Sequence, residues 1–363
     1  MIGKAIGALG LLFLFSCGQG TGTPAMEAGW SSVPNAYARY FELQVRGAER
    51  RLVVFGPEGR TDTVGKYRFR GPADGQGALF PPTDRTVVLS TTHLPYFSAL
   101  DAVDRVVGTA HTAQVRDPHF SDAVRAGKTK EVARADGVDR EVLMALDPQV
   151  IFDHPFGSEQ RKAITTIPVV NVTEYLEQHP LGRAEWLRFF GMLLGKEDRA
   201  DSLFAAITHR YEFVRGTKAH LPSLPTVLFA SHWEGVWFVP PGNSYMATLI
   251  ADAGARYVYA DSMANGNIAL PLERLLIQGD TIDHIGVLLA YPGRVDKAVL
   301  AGGDTRVMAL GSVRNGAFVG NSATSDLFGQ ALLEPDVVLR DLRCIFHPGT
   351  CTGRTGTYFK ALP

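Results

Sequence analysis

Asn171-Val172-Thr173-Glu174-Tyr175-Leu176-Glu177-Gln178-His179-Pro180-Leu181-Gly182-Arg183 opens the stretch that decides the architecture. Beyond it, Trp186, Phe189, Phe190, Leu193 and Leu194 recur at the spacing of one face of a helix. Gly195 stops that helix, because a residue without Cβ takes a left-handed C-terminal turn at little cost. Glu197 and Asp198 then begin a second helix, where acids suit the positive end of the helix dipole. Its apolar face is Ala200, Leu203, Phe204, Ile207, Tyr211 and Val214, and it ends near Gly216. At 1.5 Å per residue such a helix reaches about 30 Å, the width of a small domain. α/β patterns lie on both sides, so residues 196–217 read as a rigid strut between two lobes, with a cleft between them.

The 363 residues exceed one ordinary core, which agrees with two domains. Net charge is −1 with acids and bases interleaved, and no basic stripe argues for nucleic acid. Residues 1–17 form a targeting segment: Lys4 precedes the run Ile6 to Phe15, too short to cross a bilayer stably. Leu14-Phe15-Ser16-Cys17 resembles a bacterial lipobox, which implies cleavage before Cys17 and lipid on its sulfur. An ordinary signal peptide with an incidental cysteine is the alternative. Cys344 and Cys351 sit seven residues apart around a Pro-Gly turn, so a disulfide is favoured in an oxidising compartment. A zinc site is the rival, with only His347 as a local third ligand.

Residues 18–35 are rich in Gly, Ser, Thr and Pro and read as a tether. Residues 36–80 read as a small β unit. Phe41, Leu43 and Val45 alternate, as do Leu52 and Val54, with a turn at Gly47 and a third strand at Tyr67 and Phe69. Residues 85–195 and 218–363 each read as an α/β lobe with a mostly parallel sheet flanked by helices. Strands are expected at Thr86–Ser90, Arg105–Gly108, Val150–Phe152 and Pro168–Val172, then at Thr226–Ala230, Arg256–Tyr259, Ile285–Leu289 and Ala317–Gly320. A single helix is expected over Leu327–Phe346. Asp139–Phe152 parallels Leu270–Val287, and Ala99–Val107 parallels Leu249–Val258, so one lobe plan is expected to occur twice.

These segments resemble the class III substrate-binding proteins of ABC importers, which capture ferric siderophores, haem and cobalamin. The resemblance runs from about Arg85 to the end. Its carriers are Arg85–Ser90, the Asp139–Phe152 unit, Glu177–Trp186, Pro241–Ala247 and Ile345–Gly349. The last three are similar to a Bacteroidetes-type branch, while the N-terminal β unit lies outside the general pattern. The resemblance implies an extracytoplasmic binding protein, lipid-anchored to a membrane, that meets ABC permease subunits. No resident cofactor and a monomer are expected. It also implies permease docking by Glu159, for which helix N-terminal stabilisation is the alternative reading. The matching acid of the second lobe belongs near Asn243-Ser244, where none stands.

In open parallel sheets ligands bind beyond the C-terminal strand ends. In the first lobe that rule selects His93, Tyr96, His111, His154, Phe156 and Tyr175. In the second it selects Trp233, Trp237, Tyr245, Tyr291 and Asn321, with His232 beside them. Four of the ten histidines follow strands directly; any one alone reads as a loop or capping residue before a ligand contact, and the four together bring the two readings level. Aromatic faces with few polar groups suit a large chelate, haem or corrinoid. Histidine and carboxylate sets suit free Zn²⁺ or Mn²⁺, which stands as the alternative. An enzyme is not expected. Gly127-Lys128-Thr129 lacks the earlier glycine of a phosphate loop, and Gly-x-Ser-x-Gly, His-Glu-x-x-His and Cys-x-x-Cys are absent.

Overall fold

The computed structural model describes residues 29–70, 83–134, 137–155, 167–221, 223–351 and 356–363. The pair of helices holds its expected place. Pro180–Leu194 is buried along nearly its whole length, and Gly195 ends it at φ 66°. Glu197–Gly216 follows and buries Ala200, Phe204, Ile207, Tyr211 and Val214. The two helices cross closely because Gly191 has no Cβ, which would lie 2.4 Å from that of Ala200.

The strut is tied at both ends. Arg199 pairs with Asp101 at 3.0 Å in the first lobe. At the other end the Tyr211 hydroxyl donates to Asp252 at 2.7 Å, and Arg343 donates to the backbone oxygens of Val214 and Asp252. Arg343 is itself buried, so these last bonds are shielded from water and hold the strut firmly to the second lobe.

The first-lobe sheet is wholly parallel, in the order Val169–Asn171, Val150–Asp153, Thr86–Val88, Val106–Thr109, Lys130–Glu131. The last strand was not expected, since two exposed charged residues carry no apolar signal. Gly127-Lys128-Thr129 closes the helix Pro118–Arg125 through Gly127 at φ 67°. It therefore follows a helix, where a phosphate loop would precede one.

In the second lobe the parallel strands are Arg256–Tyr257, Thr226–Trp233, His284–Leu289 and Ala317–Asn321. Numbered along the chain within each lobe, the four matching strands are ordered 2-1-3-4 in both, so the lobe plan is repeated. Three antiparallel strands complete the second sheet: Val236–Val239, Ile268–Leu270 and Phe359–Ala361. None shows clean alternation, which is why the pattern hid them. The single helix expected over Leu327–Phe346 is shorter. Pro335, which lacks an N–H, begins a helix that runs only over Pro335–Phe346, after a 3₁₀ turn at Gln330–Leu332. The sulfurs of Cys344 and Cys351 are bonded, with Cα atoms 5.5 Å apart.

The N-terminal sheet has four antiparallel strands: Ser31–Val33, Phe41–Arg46, Glu49–Gly56 and Gly59–Arg70. Ser31–Val33 corrects the expected tether, whose end pairs with the strand Phe41–Arg46 beside the buried Trp30. Nor is the β unit a separate core. Its Phe41 ring sits 4.9 Å from Trp186 and 5.6 Å from Phe189, so the sheet packs on the helix Pro180–Leu194.

Candidate functional site

A cavity of about 670 Å³ opens between the lobes, within the usual range for a small-molecule site. From the second lobe, Phe229, Ala230 and Ser231 line it at the C-terminal part of one strand, and Leu288 at the end of the next. Tyr245, Phe328 and Phe359 add aromatic surface. The first lobe supplies Tyr175 to Gln178 and Arg183. Tyr40 and Pro57 of the N-terminal sheet close a further side.

Arg183 is the one cation among the described lining residues. It stands near the N-terminus of its helix, where the dipole disfavours positive charge. Three contacts hold it there. Its guanidinium donates to the backbone oxygens of Tyr175 at 3.1 Å and Glu177 at 3.4 Å, and lies 4.2 Å from the Tyr245 ring centroid. The buried Tyr96 adds a bond from its hydroxyl to the Arg183 carbonyl at 2.8 Å. A planar cation presented over an aromatic face can receive an anionic group in an otherwise mostly apolar cleft. Burial keeps the Tyr245 phenol above its ordinary range, with Arg183 opposing, so this ring stays neutral. Thr248 donates to the Gln178 carbonyl at 3.1 Å, which ties the lobes beside this pair.

Two neighbouring acids behave oppositely. Both are buried. Burial pushes Glu174 up, but the charge and hydrogen bond of His93 and the hydroxyl of Thr92 outweigh it and hold it at about 2. The contacts are 3.2 Å from His93 Nε2 and 2.6 Å from Thr92 Oγ1. Glu177 has no such cation. Burial lifts it to about 7, only partly opposed by N–H donors from Tyr40, Trp186 and Arg39, while Glu185 adds to the rise.

Of the residues selected by strand position, the cavity takes in Tyr175 and Tyr245. The histidines do not line it. His93 lies wholly inside the first lobe against Glu174. His111 sits on the surface at φ 56°, its N–H donating to Glu131. His154 packs its ring 5.8 Å from His93 and 6.1 Å from Tyr175, behind the cavity wall. His232 rests on Trp237 at 4.8 Å, and Trp237 belongs to the second-lobe core. Trp233 is 68 % exposed, beside the Glu234-Gly235 turn of a hairpin. Tyr291 is 40 % exposed, and Asn321 is buried, clamping the Tyr291 backbone through both its N–H and its carbonyl. Tyr96 is buried and stacked on Phe190 at 4.7 Å. Phe156, Glu159 and Cys17 lie outside the described residues.

Sequence reasoning did not select Tyr40, Glu177, Arg183, Phe229 or Phe359. Only Arg183 carried a usable signal, a cation at the unfavourable end of a helix. Glu185 binds the N-terminal segment: its carboxylate accepts the N–H groups of Ala36, Tyr37 and Ala38 at 2.7–2.8 Å.

Comparison with known proteins agrees with this architecture. An uncharacterized lipoprotein of the archaeon Methanocaldococcus jannaschii is 25% identical, over 83% of this chain and 74% of its own length. A periplasmic heme binding protein from Pseudomonas aeruginosa superposes with a TM-score of 0.61 at 16% identity, over 78% of this chain and 99% of its own. An ABC-type Fe3+-hydroxamate transport system protein from Saccharomonospora viridis gives 0.59 at 19% identity, over 81% and 98%. Residues 87–285 match the periplasmic binding protein family. With more than half its length inside that match and its two lobes joined by a helical strut, the chain belongs to the periplasmic binding protein family, as a class III substrate-binding protein.

Proposed function

We propose that the chain captures an iron chelate, haem or a corrinoid in the interlobe cleft and delivers it to the permease of an ABC importer. The observation that carries this is the cleft itself: roomy, mostly apolar, walled by Tyr40, Tyr175, Phe229, Tyr245, Phe328 and Phe359, with one guanidinium on an aromatic face. Aromatic faces cover the apolar plane of such a ligand, and Arg183 meets its anionic group. The described lining residues include one carboxylate and no histidine, a donor set too poor for a bare Zn²⁺ or Mn²⁺ ion. The names of the heme and hydroxamate neighbours support the ligand class. The role is capture and release, without chemistry on the ligand.

The reading places the protein outside the cytoplasm, lipid-anchored through Cys17, with Glu159 meeting the permease. The name of the archaeal lipoprotein supports the anchor. No helix among the described residues is long and apolar enough to cross a membrane. Mass spectrometry and absorbance of what copurifies test the ligand class directly. Titration with haemin, cyanocobalamin and a ferric siderophore does so independently. Trp186 donates its indole N–H to Glu177 on the cleft wall, which makes its fluorescence a reporter. One ligand is expected to bind far more tightly than the others; failure of all three alongside one-to-one binding of Zn²⁺ or Mn²⁺ overturns the reading.

A further inference from the structure

Five successive backbone N–H groups, from Ala36 to Tyr40, all point at two buried carboxylates. Glu185 accepts the first three and Glu177 the last two, at 2.7–3.0 Å. A carboxylate out of water demands such donors, so the connection between the first two strands of the N-terminal sheet is fixed to the helix Pro180–Leu194 and the residues just before it. Glu177 also lines the cleft. The last amide in the run, that of Tyr40, therefore places the Tyr40 side chain at the cavity wall. The Tyr40 carbonyl accepts the Phe55 N–H at 2.8 Å, which links it to the strand Glu49–Gly56 just before Pro57.

The sheet is also held by the strand Val169–Asn171 and the residues just after it. The Asn171 N–H donates to the Tyr67 hydroxyl at 2.6 Å, and the Thr173 hydroxyl donates to the Phe55 carbonyl at 2.9 Å. These anchors stand just before Tyr175, itself part of the wall. The sheet thus moves with the first lobe as one piece. It also lies wholly before residue 87, where the family match begins.

We infer that the N-terminal sheet forms a third wall of the ligand cleft and that Tyr40 and Pro57 select which bulky ligand it admits. This rests on the binding role proposed for the cleft. A rigid ring and a rigid pyrrolidine limit the size and set the contact surface on that side. Selection then follows as a difference of affinities, because a ligand too wide for the gap loses more than one that fills it.

The test uses the full chain and two kinds of probe. With haemin, cyanocobalamin and a ferric siderophore, Tyr40→Ala and Pro57→Ala are expected to change the ratio between the best ligand and the next by about tenfold. Thermal unfolding should stay close to wild type. With the anionic aromatic dye anilinonaphthalene sulfonate, Tyr40→Ala and Tyr245→Ala should each weaken binding by about fivefold or more. Dye affinity within about twofold of wild type for Tyr40→Ala, when Tyr245→Ala weakens it, overturns the third wall. Equal losses for every natural ligand overturn the selection by Tyr40 and Pro57. Failure of all three natural ligands on the wild-type protein strikes the ligand class instead, and the dye comparison still judges the wall.

Discussion

The two lobes share a strand order of 2-1-3-4 yet use the region around their first strands in opposite ways. In the first lobe the space beyond the strand Thr86–Val88 is filled from within, and among the described residues only Tyr175 to Gln178 and Arg183, after the edge strand, reach the cavity. His93, Thr92 and Glu174 form a buried polar cluster, and His154 packs against it. In the second lobe the corresponding space stays open, and Phe229, Ala230, Ser231 and Leu288 face the cavity. The imidazole of His93 finds a carboxylate on a neighbouring loop and is held inward, whereas the apolar Phe229 and Ala230 of the second lobe have no polar partner to seek and remain as wall. Position after a strand therefore says that the chain has reached the cleft side, and the neighbouring loops decide which side chains face it.

Breaking the first-lobe cluster should give the largest effect. Glu174→Ala leaves His93 buried without its acid, and unfolding in urea should show a loss of about 3–5 kcal/mol. Ligand affinity of the folded fraction should stay near wild type. A loss under about 1 kcal/mol would mean that the cluster does not hold the lobe.

The neighbouring acids sharpen the contrast through pH. Glu174 sits below its ordinary 4.5, so its contribution is present above that value and disappears as pH falls toward 2. Glu177 sits above 4.5, so its protonated form favours the fold at low pH, and that advantage disappears as pH rises through about 7. Stability of the wild type should carry a downward contribution between those values, of up to about 3 kcal/mol. Glu177→Gln should remove it. Identical slopes in the two proteins, from unfolding measured across the range, would take Glu177 out of the account.

In the open cleft the expected effects are on binding. Arg183→Gln should weaken an anionic ligand by about 10- to 100-fold, or about 1.4–2.8 kcal/mol, with a smaller change in stability. Unchanged affinity for the copurified ligand would leave the guanidinium without a role there. The smallest effect belongs to Trp233→Ala. At an exposed hairpin tip it should cost under about 0.5 kcal/mol in folding and in binding alike. A clear loss of ligand would show that the hairpin reaches the cleft.

Much of the architecture was legible in the sequence because it rests on periodicity. The spacing of Trp186, Phe189 and Leu193 and the acids at Glu197 and Asp198 specify two helices whatever lies around them. The alternation at Phe41, Leu43 and Val45 and the repetition of one lobe plan were likewise open to reading, since each rests on patterns within single segments, whereas the lateral order 2-1-3-4 comes from pairing between distant strands. The site was not. Arg183 meets Tyr245, Glu177 meets the amides of Arg39 and Tyr40, and His93 meets Glu174, all across separations that no local pattern encodes. Which aromatic faces the cavity and which histidine is consumed inside a lobe depend on the partner that packing brings alongside. A buried polar group must be satisfied by whatever the fold places within reach, and only the tertiary structure supplies that partner.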